Sequence, residues 1–119
     1  PRCGQAFIKK NSLNHEQMVT QILDYIEEYY MHDLTVNSLL RFCPLSRSHF
    51  HAVFKKSTGK TFIAYLTAKR LEAACRLLQQ GLPIAEISFR CGFNSHSRFA
   101  QVFQTHYECS PSEYRSKLI

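Results

Sequence analysis

A nine-residue frame occurs twice in this chain. Ser46–Phe54 reads SRSHFHAVF and Ser95–Phe103 reads SHSRFAQVF, so S-x-S-x-F-x-x-V-F recurs at an offset of 49 residues. On a wheel of about 100° per residue, the Val and the last Phe of each copy fall within roughly 60° of the first Phe. Each copy is therefore expected to be a helix with an apolar stripe. Its leading Ser stands at the N-cap, where a hydroxyl accepts from a free backbone N–H. Phe50, Val53, Phe54, Phe99, Val102 and Phe103 are expected in the core. The residues that the copies share specify packing. The residues in which they differ are where function is expected.

The surrounding sequence gives each copy the same setting. Residues 1–13 lack helical periodicity and read as a tail or linker; the chain opens on Pro1, which suggests a processed protein or a piece of a longer one. Asn14 with Gln17 three residues later has the form of a capping box. A helix over about 15–30 follows, with Val19, Ile22, Ile26 and Tyr29 as its stripe and its acids pointing away. Thr35 caps a short helix carrying Val36, Leu39 and Leu40, which Pro44 stops. Ser46 opens the next helix and Gly59 closes it. Thr61 to Gln80 is the longest helix, closed by Gly81. Pro83 opens a helix with Ile84, Ile87, Ser88 and Cys91 on one face, and Gly92 turns the chain toward Ser95. Ser110-Pro111-Ser112-Glu113 places a cap, a Pro at N1 and a Glu at N3, so a last short helix begins there.

A short helix, a tight turn and a second helix make a helix-turn-helix, and the pattern occurs twice. The expected fold is all-α with about seven helices. Two helix-turn-helix units, at about 35–57 and 83–106, are joined by a long linker helix at about 61–80, within a domain covering 14–119. The turns differ: Leu39 to Phe50 spans 11 residues and Ile87 to Phe99 spans 12.

Charge narrows the class of partner. The net charge is +6. From His15 to Asp33 there are five acids and no Lys or Arg. From Leu34 to Leu71 there is no acid, but Arg41, Arg47, Lys55, Lys56, Lys60, Lys69 and Arg70 are present. A polyanion such as double-stranded DNA suits that separation. The five cysteines have no C-x-x-C spacing, so no metal, no cofactor and no disulfide framework is expected, and the thiols read as core filling. No charged-then-apolar leader and no apolar run of membrane length occurs, so no membrane association and a cytoplasmic, nucleoid-associated location are expected. G-x-S-x-G, a Gly-rich phosphate loop and H-E-x-x-H are all missing. His49 and His51 would lie about 200° apart on a helix. An enzyme is not expected.

The faces opposite the two apolar stripes carry the candidate site. The first presents Ser48, His51, Ala52 and Lys55; the second presents Ser97, Ala100, Gln101 and Gln104. Hydroxyl, imidazole, amide and methyl groups can all address base edges in a major groove. Arg47 and His96 flank these faces. Ser46 and Ser95 sit at helix N-termini, where backbone N–H groups can meet phosphate. Ser46, Arg47, Lys55, Lys56, Ser95 and Gln104 are the candidates for phosphate contact. A polar face is common to any surface helix. Two copies in the same setting within a basic chain point to reading rather than to solvation alone. A linker helix of about 20 residues spans about 30 Å, close to the roughly 34 Å turn of B-DNA.

The chain resembles the DNA-binding domain of the AraC/XylS family of bacterial transcription regulators over about 17–115. The resemblance is carried by SRSHFHAVFKKSTGKTFIAYLTAKRLEAACRLLQQG in the first unit and IAEISFRCGFNSHSRFAQVFQTHYECSPSEYR in the second. F-K-K-x-x-G, R-L-x-x-A-x-x-L-L, G-F and S-P-x-x-Y-R are specific jointly. The resemblance implies that the second helix of each unit enters the major groove. It places base reading on Ser48, His51 and Ala52, and on His96, Ser97, Ala100 and Gln101. It also implies a position C-terminal to an effector-binding or dimerising domain and contact with RNA polymerase. Arg70 matches the family's Arg in the linker helix and lies on the Leu66–Ala74–Leu77 stripe, so it reads as structural. The isolated domain is expected to be monomeric. Leu40 and Ser88 stand where the family often has Ala, Pro44 at a frequent Gly site, and Glu108 where Gly is usual after the sixth helix. The competing function is a helical protein-interaction module, for instance one contacting RNA polymerase, with weak DNA binding. The basic stretch from Arg41 to Arg70 is what such a module would not require.

Overall fold

The computed structural model describes residues 14–118; the expected tail at 1–13, with Cys3, lies outside them. The described residues form seven helices and no strand. They are α1 (His15–Tyr29), α2 (Val36–Leu40), α3 (Arg47–Thr58), α4 (Phe62–Gln79), α5 (Ile84–Arg90), α6 (His96–Tyr107) and α7 (Pro111–Ser116). The chain divides into two compact units, with the division between Thr67 and Ala68, inside α4.

Local chemistry sets the helix starts of the first unit. The Asn14 side chain accepts from the Gln17 N–H at 2.8 Å, and the Gln17 side chain accepts from the Asn14 N–H at 3.1 Å. Two orphan donors at the start of α1 are satisfied reciprocally. Thr35 opens α2 in the same way, with Ser38 as its partner. Ser46 caps α3, and the Thr61 hydroxyl accepts from the Ala64 N–H at 3.1 Å to start α4.

The core of this unit gathers Met18, Ile22 and Ile26 of α1, Leu34, Val36, Leu39, Cys43, Phe50 and Phe54 of α3, and Phe62 and Leu66 of α4. Phe50, Phe54 and Phe62 lie with ring centroids 5.7–6.0 Å apart. Each such side chain stabilises by about 1.5–3 kcal/mol through burial, and each ring pair adds about 0.5–1.5 kcal/mol. The exposed Glu16, Asp24, Glu27 and Glu28 lie off this core, as the wheel requires, and Tyr29 at the end of the expected stripe is only half-buried.

The second unit is built around Leu71, Ala74, Leu78, Ile87, Cys91, Phe93, Phe99, Phe103 and Cys109, all buried. An aromatic run links Phe93, Phe99, Phe103 and Tyr114 at centroid separations of 5.2, 5.7 and 5.5 Å. Val102 was expected beside Phe99 and Phe103, but it is only half-buried. A wheel gives a side chain's direction and not what stands in front of it. Ser110 and Glu113 complete the capping box of α7, with Pro111 at N1. The two bonds to Ser110 hold the Glu113 carboxyl below its ordinary range. That contribution is present at neutral pH and is lost as pH falls through the lowered value. The Arg115 guanidinium donates to the carbonyls of Leu78, at 3.2 Å, and Leu82, satisfying backbone groups at and beyond the end of α4.

The thiols are packing groups. Cys43, Cys91 and Cys109 are buried and Cys75 is half-buried, all free. Burial pushes the Cys43 thiol up and the Cys91 thiol to about 11, against the opposing pull of Arg76. Such thiols are poor nucleophiles at neutral pH.

The two helix-turn-helix turns differ where the sequence says they must. Leu39 and Cys43 correspond to Ile87 and Cys91 at an offset of 48, whereas the caps Ser46 and Ser95 are 49 apart. The extra residue lies between Cys91 and Ser95. There Gly92 adopts φ 96°, its N–H donates to Phe89 O, and the Phe93 N–H donates to Ser88 O. Pro44 occupies the equivalent position, lacks the N–H and cannot reach positive φ. No residue between Arg41 and Ser46 has a positive φ.

Gly59 and Glu108 are also equivalent, each ending the second helix of its unit. Both are left-handed, at φ 81° and 63°, and both donate their N–H to the residue four back at 2.8 Å. Glu108 therefore keeps the turn and bears the conformation. A side chain there costs about 1 kcal/mol more than glycine. Glu108→Gly is expected to raise stability by about 1 kcal/mol, and Gly59→Ala to lower it by a similar amount. Urea unfolding of the two variants checks the opposite signs.

Candidate nucleic-acid interface

In α3 the Ser46 hydroxyl accepts from the His49 N–H at 3.2 Å. In α6 the Ser95 hydroxyl accepts from the Arg98 N–H at 3.1 Å. Both serines are thus caps first, and both are exposed.

Burying Phe50, Val53 and Phe54 turns the opposite side of α3 outward, and Ser48, His51, Ala52 and Lys55 are all exposed there. The His51 ring packs edge-on to Phe50 at 5.6 Å, which orients the imidazole from its base. In α6, Phe99 and Phe103 are buried, His96, Ser97, Gln101 and Gln104 are exposed, and Ala100 is half-buried. The His96 ring lies 6.5 Å from that of Phe99. Ser48, His51 and Ala52 are thus exposed together on α3, and Ser97 and Gln101 together on α6, with Ala100 half-buried beside them and His96 flanking them. Neither face carries an acid.

Two residues of α3 stand apart. His49 meets His15 of α1 edge-on at 4.9 Å. Lys56 lines a shallow groove of about 500 Å³ with Glu16, Val19, Thr20 and Leu23 of α1. Lys56 lies roughly 100° around the helix from Lys55, beside the α1 side of α3 rather than on the Ser48–His51–Ala52 face.

Arg47, at the first position of α3, donates from its guanidinium to the side-chain oxygen of Asn37 on α2. Asn37 was not among the expected site residues. Ten residues and a turn separate the pair, and no local pattern signals it. Arg70 of α4 is half-buried, in keeping with a structural position. Ser88, which the resemblance sets at a site expected to hold Ala, is fully buried, and its hydroxyl donates to Ala85 O at 2.8 Å. The extra oxygen is satisfied within its own helix. Among the described residues no three His, Cys, Asp or Glu converge as metal ligands, and no helix is long and apolar enough to cross a membrane.

Residues 39–117 match the family model described as a helix-turn-helix domain. The xylose operon regulatory protein of Escherichia coli K12 is 37% identical over 98 residues, covering 82% of this chain and 25% of that protein. A solved AraC family transcriptional regulator of Rhodopseudomonas palustris superposes with a TM-score of 0.72 at 25% identity, covering 88% of this chain and 97% of that one. The chain belongs to the AraC/XylS family. A further solved structure, the DNA-binding domain of AdpA, a global transcriptional factor, in complex with a target DNA, has a TM-score of 0.79 at 26% identity and covers 83% of this chain and 90% of that one. This AraC/XylS chain spans about half or less of the length of the curated relatives it matches.

Proposed function

We propose that this chain binds double-stranded DNA in a sequence-specific manner, as the C-terminal module of a cytoplasmic transcription regulator. One observation carries the reading: the fold presents, once in each unit, a capped helix whose buried stripe forces an acid-free polar face outward. The likeness to a domain solved on its target DNA supports it.

In this reading α3 and α6 each enter a major groove. Ser48, His51 and Ala52 read bases from the first unit, and His96, Ser97, Ala100 and Gln101 from the second. Ser46, Arg47, Lys55, Ser95 and Gln104 meet phosphate. Lys56, turned toward α1, adds mainly to the positive field. The domain proposed for this task covers 14–119, with α4 as the link between its units. RNA polymerase is the proposed second partner.

Binding should weaken steeply with salt. If Arg47 and Lys55 each displace one condensed counterion, affinity falls roughly 12-fold between about 50 and 200 mM salt. Fluorescence anisotropy with a labelled duplex measures this. An affinity that does not change across the titration would remove the DNA reading and leave the protein-interaction module.

A further inference from the structure

We propose that Asn37 and Arg47 form a two-residue grip for one DNA backbone phosphate, in which Asn37 is the positioning residue. This rests on the reading of α3 as a DNA-facing helix and deepens it.

Both residues are exposed, Asn37 on α2 and Arg47 at the start of α3. The guanidinium donates to Asn37 Oδ1. That bond uses one of five N–H donors in the planar fork, and the others remain for a bidentate partner. The amide keeps its two Nδ2–H donors as well. An anion with several oxygens in one small group, such as a phosphodiester, can take donors from both side chains at once. The identity of the partner matters. A carboxylate on Arg47 would cancel its charge, whereas a neutral amide orients the cation and leaves the charge intact. The stretch from Leu34 to Leu71, which carries both residues, holds no acid.

The second unit argues against a purely structural tether. The positions equivalent to Asn37 and Arg47 are Ala85 and His96, which cannot form this pair. Helices α5 and α6 are held in their helix-turn-helix without it. The pair is an addition peculiar to the first unit. Its location suits its task, since the first helix of such a unit crosses the DNA backbone while the second lies in the groove.

The test uses the whole 119-residue chain and a labelled mixed-sequence duplex of roughly 21 base pairs, two helical turns. Anisotropy across salt is measured for the wild type, Asn37→Ala, Asn37→Asp, Arg47→Ala and the Asn37→Ala/Arg47→Ala double variant, with a thermal melt of each. Arg47→Ala is expected to reduce the slope of log K against log salt by about 0.9, one phosphate. Asn37→Asp, which retains the acceptor but cancels the charge, is expected to reduce it similarly. Asn37→Ala should weaken binding roughly three- to tenfold, the cost of ordering a free Arg side chain on the phosphate. Added to Arg47→Ala it should cost clearly less, because only the amide's own donors to the phosphate are then lost and no Arg side chain remains to be positioned. An equal loss from Asn37→Ala in both backgrounds would overturn the grip. So would unchanged affinity for Asn37→Ala with a lowered melting temperature, which is the signature of a tether. Absence of salt-dependent binding by the wild type would instead remove the underlying DNA reading, and the grip with it.

Discussion

Phe103→Ala is expected to destabilise the second unit by about 3–5 kcal/mol, the usual range for truncating a fully buried aromatic. Phe103 is 0% exposed, and its ring meets those of Phe99, Tyr107 and Tyr114. These residues bring α6 and α7 together, so truncation leaves a cavity where the two helices meet. Small domains hold only about 5–15 kcal/mol in total. The loss should appear as reduced amide protection through α5, α6 and α7. A loss under about 1 kcal/mol would mean that the neighbouring rings close the cavity, and that the aromatic run is not what holds α6. The consequence for function follows directly. An α6 that frays cannot present Ser97, Ala100 and Gln101 on one face, so specific binding should fall with stability.

Much of this fold was legible because it is specified locally. Asn14, Thr35, Ser46, Thr61, Ser95 and Ser110 all stand as caps where their chemistry placed them. The stripes followed from period, and the outward faces followed from the stripes. Legibility ended where distant residues decide the outcome. The sequence posed a conflict at Glu108, a side chain at a glycine position. Only the structure shows that the turn is kept and the left-handed conformation is borne. Arg115 reaches the carbonyls of Leu78 and Leu82 across more than 30 residues, and no spacing rule anticipates that. The Asn37–Arg47 pair is equally invisible to spacing rules, because its two residues lie on either side of the helix-turn-helix turn. Lys56 was grouped with Lys55 by charge, although the two point to different sides of α3 once α1 is in place.

The second large effect concerns base reading. His51 and Gln101 are the longest hydrogen-bonding side chains at the centres of the two proposed reading faces, and both are exposed. His51 offers an imidazole donor or acceptor. Gln101 offers an amide that can bind adenine in a bidentate manner. Truncating either should cost about 1–3 kcal/mol on the preferred site and relax preference at the base it contacts. Lys55→Ala should differ in kind. Its ammonium has no base-specific geometry, so all sequences should weaken alike and the salt slope should fall by about 0.9.

The central claim is that α3 and α6 each read DNA from one chain, and binding-site selection tests it most directly. Selection from a randomised duplex pool is run in parallel on the wild type, His51→Ala and Gln101→Ala, with circular dichroism confirming equal helix content. The account predicts a defined wild-type site in which His51→Ala relaxes one position, Gln101→Ala relaxes another, and the remaining preferences are retained. If both variants select the wild-type site unchanged, neither face reads bases and the claim is contradicted. If only His51→Ala changes the site, the second copy of the repeated nonapeptide serves packing or a protein partner, and the claim of two readers fails.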